Sequence, residues 1–157
     1  MNKVRHFSFL FLYLLSGRLL YSQSLHAFLF SRTDTVENTN SERKAFSEGV
    51  QNDLDSMQAF CADVARSMNF KYQEHSLAGV HFNSVEIERT LSSANSIVHQ
   101  GDVVILYFAT HGFKTRNDTD VFPEVDIYGK YISSYSVYKQ LSRLNPRTLL
   151  VLVDACS

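Results

Sequence analysis

Gly101–Phe113 reads GDVVILYFATHGF, and its apolar run Val103–Phe108 decides the fold class. Six apolar residues are too few to span a membrane as a helix, and the run is rich in β-branched and aromatic types. It therefore reads as a strand buried on both faces of a parallel sheet. The run ends in Thr110-His111-Gly112. A second run of the same character, Thr148–Val153, ends in Asp154-Ala155-Cys156. Neighbouring parallel strands bring their carboxyl ends to one edge of the sheet, so the two runs predict an imidazole and a thiol side by side.

Working outward, Leu25–Phe30 (LHAFLF) reads as the first strand, and the polar Ser31–Ser47, without sustained periodicity, as a loop over the carboxyl edge. Ser47 or Asn52 then caps a helix with Val50, Leu54, Met57, Cys61, Val64 and Met68 on one stripe, at spacings of three and four. Asn69 ends that helix, and Phe70–Glu74 alternates apolar with polar as a strand near a sheet edge does. Asn83, with Glu86 three residues on, resembles a capping box opening a second helix that carries Ile87, Leu91, Ala94 and Val98 and stops at Gly101. Beyond His111, Phe113–Lys130 reads as a polar loop with one short extended piece. Ser133 or Ser134 caps a third helix carrying Val137, Leu141 and Leu144, closed by Asn145-Pro146. Alternating strands and helices predict an α/β fold with parallel pairing through right-handed crossovers; the expected sheet is mostly parallel, in the order two-one-three-four as far as it goes, with helices on both faces.

The 157 residues suffice for one domain with a real core, and 45% hydrophobic with 20% charged residues is an ordinary globular composition. A net charge of −1 with no Lys/Arg run excludes partners held by bulk charge, nucleic acid among them. Lys3 and Arg5 precede the uncharged Phe7–Leu15 and then a polar stretch, the order of a secretory signal; residues 1–22 are expected to be such a signal and the remainder an exported, periplasmic or extracellular chain without a stable membrane span. An oxidising compartment favours disulfides, but Cys61 lies on the apolar stripe of a helix and Cys156 at a strand end, so no pairing is expected. The spacing of His26, His75, His81 and His99 suggests no metal site, and these read as surface or core residues.

A thiol is only a few per cent thiolate at neutral pH, so a cysteine nucleophile needs a neighbouring imidazole to take its proton and return it to the leaving amine. His111 and Cys156 can supply that dyad. The backbone N–H groups of Gly112 and Cys156 can hold the oxyanion of a tetrahedral intermediate, and Gly112 permits close approach of a substrate to the backbone.

His111-Gly112 after one hydrophobic strand and Asp154-Ala155-Cys156 after the next resemble the caspase and metacaspase family of cysteine endopeptidases, over roughly Leu25 to Ser157. Caspases proper carry Gln-Ala-Cys with the histidine about 50 residues upstream; Asp154 stands where they have Gln, as in metacaspase-like members. Gly49-Val50-Gln51-Asn52-Asp53 is similar to the metacaspase motif Gly-Cys-x-Asn-Asp, with Val50 in place of Cys. The resemblance implies a three-layer sandwich, a His111–Cys156 dyad, and an acidic S1 pocket in which Asp53 and Asp154 select Arg or Lys at P1, as paired carboxylates suit a guanidinium or ammonium. It also implies further strands and a small-subunit-like half beyond Ser157, so that residues 23–157 read as a large-subunit domain incomplete at its C-terminus. No cofactor is implied. Some metacaspases depend on calcium, but the acid-rich Asp118, Asp120, Glu124 and Asp126 read as a solvated face and assign no metal. The partner expected is a peptide or protein substrate; the alternative is a non-catalytic or decayed caspase-like module that binds peptides or partners.

Overall fold

The apolar runs become strands because their side chains can be covered on both faces of a sheet. In chain order, the computed structural model contains β1 (Ser24–Ser31), α1 (Ser41–Met68), β2 (Lys71–Ala78), α2 (Ser84–Ile97), β3 (Val103–Ala109), β4 (Gly112–Phe113), β5 (Glu124–Ile127), β6 (Lys130–Ser133), α3 (Ser134–Ser142) and β7 (Thr148–Asp154). The structure describes residues 22–33, 41–113 and 122–155; the N-terminal apolar run, Asp118, Asp120 and Cys156 lie outside them. The main sheet is parallel throughout, in the order β2-β1-β3-β7, which is the expected two-one-three-four with β7 as its fourth strand.

Every residue of β1 and β3 is buried. Alternation along these two strands divides the core into two layers. Leu25, Ala27, Leu29, Val103, Ile105, Tyr107 and Ala109 cluster with Val50, Leu54, Cys61 and Ala65 of α1. Phe28, Phe30, Val104, Leu106 and Phe108 cluster with Ile87, Leu91 and Ala94 of α2 and Val137 and Leu141 of α3. The result is an α/β three-layer arrangement. Asn83 caps α2 as its capping-box spacing predicts, its side-chain oxygen accepting from the Glu86 amide at 3.0 Å. Of the two serines offered for α3, Ser133 is the cap, accepting from the Ser136 amide at 3.2 Å. Asn69, in the left-handed region at φ 55°, follows α1 as a terminator.

Four expectations are corrected. First, α1 begins at Ser41, so neither Ser47 nor Asn52 caps it; Phe46, four residues before Val50, extends the inward stripe by a turn. At the other end Ala65 is buried and Met68 is 38% exposed, because four residues on from Cys61 the stripe passes through Ala65. Second, β2 runs to Ala78, past the Glu74 expected for its end. Third, the polar loop after His111 holds a small antiparallel sheet, β4-β5-β6, whose hairpin turns at Tyr128 (φ 51°) and Gly129 (φ 82°), the paired positive φ of a tight two-residue connection. Strands of two to four residues are too short for alternation to register in a sequence. Fourth, β7 is the last strand of the main sheet among the described residues and is partly buried there, with Leu150 39% exposed.

At the amino edge of the sheet, opposite His111, buried polar groups form a chain. Asp102 is almost fully buried and accepts from the amides of Ser24 and His99, each at 2.8 Å. His26, completely buried, lies 3.3 Å from Asp102 through Nε2 and 3.3 Å from His75 Nε2 through Nδ1. Since an ionised carboxylate only accepts, Nε2 of His26 carries the proton and the neutral ring accepts from His75 at Nδ1. Burial holds His26 below the ordinary histidine range, against the pull of Asp102 and with repulsion from His99 and Lys71. Burial also lowers His75, His26 adds to this, and Glu74 opposes it. Burial alone would raise Asp102, but the Ser24 and His99 amides and then His26 outweigh it and hold the carboxyl below its usual range.

Both imidazoles thus bind fewer protons in the folded chain than in the unfolded one. Their stabilisation is complete above the unfolded value near 6.5 and is lost as pH falls below it, with a limiting slope of about 1.4 kcal/mol per pH unit for each group. Thermal melts should show a falling Tm from pH 7.5 to 5. His75→Gln should flatten that fall, and an unchanged pH profile in this variant would count against the chain.

Candidate active site

The site stands at the carboxyl edge of the main sheet, where β3 gives way to Thr110 and His111. Two bonds from one residue hold that turn: the Asp126 amide donates to the His111 carbonyl at 2.8 Å, and the Thr110 hydroxyl donates to the Asp126 carbonyl at 2.8 Å. Asp126 is held in turn by Arg32, just beyond β1, at 3.0 Å, and its other carboxylate oxygen accepts from the Gly129 amide at 2.7 Å. Arg32 also lies over the Tyr128 ring at 4.5 Å, and its amide donates to the Ala109 carbonyl at 2.9 Å. Asp126 is therefore not the solvated charge expected of an acid-rich loop. It is a half-buried clamp joining the hairpin to the His111 turn.

The same pairing bears on Gly112. In an antiparallel ladder, a bond from the residue after one partner to the residue before the other marks a pair whose own N–H groups turn outward. Gly112 faces Val125, and the Asp126-to-His111 bond is of that kind. The β4–β5 ladder consequently does not use the Gly112 N–H, as an oxyanion donor requires.

His111 is exposed, and its ring stacks on Phe46 of α1 with centroids 4.3 Å apart and planes 10° from parallel. Phe46 also borders a cleft of about 180 Å3 lined by Gly49, Val50, Asp53, Ala109, Thr110 and Asp154. The structure therefore brings Asp53, from the first half of α1, and Asp154, from the end of β7, to one cavity beside His111. Register explains the second: Asp154 pairs with Ala109, and its carbonyl accepts from the Thr110 amide at 3.2 Å. His111 and Cys156 each follow this pair by two residues in sequence; Cys156 itself lies outside the described residues.

Tyr107 lies on the α1 face of β3, two residues before Ala109, and is 5% exposed. Burial first, and then the charges of Asp154 and Asp53, push its phenol up to about 12. It therefore stays protonated. The chain's other thiol, Cys61, is fully buried and pushed up to about 11 by burial and then by Glu74, which makes it unfit as a nucleophile.

Sequence reasoning missed Phe46, Tyr107 and the Arg32–Asp126 clamp. Phe46 was detectable as one more step of the 50, 54, 57, 61 stripe, and Tyr107 as the polar-tipped member of the face shared with Ala109. Nothing local signals Arg32, whose partner is distant in sequence. Among the described residues, no group of three or more His, Cys, Asp or Glu is arranged to hold a metal ion, and no helix is long and apolar enough to cross a membrane.

Comparison with known proteins bears on the same residues. A family model for the caspase domain matches residues 37–157, which include α1 with Asp53, the His111 turn and the strand leading to Cys156. The chain belongs to the caspase domain family. The caspase domain is a cysteine peptidase domain. A Geobacter sulfurreducens protein whose crystal structure was a structural genomics target aligns with a TM-score of 0.55 and 17% identity, over 85% of this chain and 50% of that one. That likeness is one of fold, and the chain spans about half the length of the solved structure it matches. No curated protein matches this caspase domain chain.

Proposed function

We propose that the protein is a cysteine endopeptidase of the caspase and metacaspase type that cleaves peptide bonds after Arg or Lys. The observation that carries this reading is the cleft beside His111 lined by both Asp53 and Asp154. Two carboxylates in one cavity favour a guanidinium or ammonium and repel the acidic side chain that caspases proper take.

In the mechanism, His111 removes the Cys156 proton, the thiolate attacks the scissile carbonyl, and the tetrahedral oxyanion rests on the N–H groups of Gly112 and Cys156. Protonated His111 then donates to the leaving amine, the C–N bond breaks, and water activated by the same imidazole releases the acyl group from Cys156. The Gly112 amide that the β4–β5 ladder leaves outward and the backbone clamp on His111 support these roles. Lys3 and Arg5 ahead of Phe7–Leu15 support export of the protein.

The test is a fluorogenic peptide series differing only at P1, offered to the full-length protein and to Cys156→Ala. Cleavage after Arg and Lys, little after Asp, and none by the variant is the expected result. Cleavage by Cys156→Ala, or a preference for Asp, sinks the proposal, and binding of Arg peptides without turnover supports a non-catalytic module instead.

A further inference from the structure

The bonds from Asp126 fix the backbone at His111 but leave the plane of an exposed imidazole unset. The Phe46 stack sets that plane, at 4.3 Å and 10°, from a helix otherwise anchored on the sheet by Val50 and Leu54. The same ring borders the cleft with Asp53 and Asp154. Resting on the reading of His111 as the general base, we propose that Phe46 is a positioning residue for the imidazole and the apolar wall of the basic-side-chain pocket.

The two roles are physically linked. An aromatic face beside two carboxylates suits a guanidinium, which stacks on rings while its N–H groups reach the acids. A basic side chain entering the cleft packs on the ring that aligns the base, so the correct substrate tightens the arrangement that processes it. A substrate without such a side chain leaves the stack unsupported. The ring's planarity is what matters here, since an aliphatic residue of similar volume fills the space without offering a face to either His111 or a guanidinium.

The experiment compares Phe46→Leu with Phe46→Tyr in the full-length protein, with melting curves to confirm that both fold. For an Arg peptide, the Leu variant should lose on the order of tenfold in kcat, the scale at which small misplacements of a catalytic group act, and its KM should rise. The Tyr variant should recover both to within about twofold, because the ring face is kept. Alkylation of Cys156 by iodoacetamide, which needs the base but not the pocket, should slow in Leu and not in Tyr. Equal behaviour of the two variants, whether both active or both impaired, overturns the proposal. If His111→Ala alkylates and turns over like the parent, the underlying assignment of the base fails. If His111→Ala is impaired while Phe46→Leu is not, only the Phe46 role fails.

Discussion

His111→Ala should lower kcat/KM for an Arg peptide by roughly a thousandfold to a hundred-thousandfold, the larger of two effects that define the site. Two losses multiply. An unassisted thiol is a few per cent thiolate at pH 7, which by itself costs a few tens in rate, and removal of the acid that protonates the leaving amine costs roughly a further 10²–10⁴. Because base and nucleophile act as a unit, adding His111→Ala to Cys156→Ala should cost nothing more. The measurement is single-turnover cleavage across pH 6 to 9. Residual activity near a tenth of the parent's, or a further loss in the double variant, would remove His111 from the dyad. The geometry behind this expectation is specific: the turn carrying His111 is bonded on both sides to Asp126, and Asp126 is tied to Arg32.

The second large effect concerns selectivity. Asp154→Asn and Asp53→Asn should each reduce kcat/KM for P1 Arg, mainly through KM, while leaving a peptide with citrulline at P1 nearly unaffected. A hydrogen bond to a charged partner contributes about 1.5–3 kcal/mol, or roughly ten- to a hundredfold. Both carboxylates are exposed on the open cleft, so solvent and salt screening put the effect at the lower end. Raising ionic strength should narrow the gap between Arg and citrulline in the parent protein and have little effect in the double variant. A double variant that still prefers Arg over citrulline would show that the cleft does not read P1 charge.

How much of this was legible in the sequence depends on the distance over which each feature is decided. β1 and β3 were legible because a strand buried on both faces is apolar along its length, whatever lies on either side. The Asn83 cap was legible because donor and acceptor sit three residues apart. Asp53 and Asp154 were found through motif resemblance, and their shared cavity follows from the Ala109–Asp154 register together with the placement of α1. The start of α1 was misread because Ser31–Ser47 is polar, and one aromatic at Phe46 does not make a periodicity on its own.

The sequence by itself therefore determined the α/β class, the parallel pairing of the main sheet and the placement of His111 at a strand's carboxyl end, since these rest on local apolar patterns and on the alternation of strands with helices. Only the tertiary structure decided that Phe46 stacks on His111, that Asp53 and Asp154 line one cleft, that Arg32 secures the His111 turn through Asp126, and that His26, His75 and Asp102 share one largely buried chain. The physical reason is that side-chain partners meet across elements, where contact depends on register and helix placement to within an ångström or two. Local propensity carries no record of either.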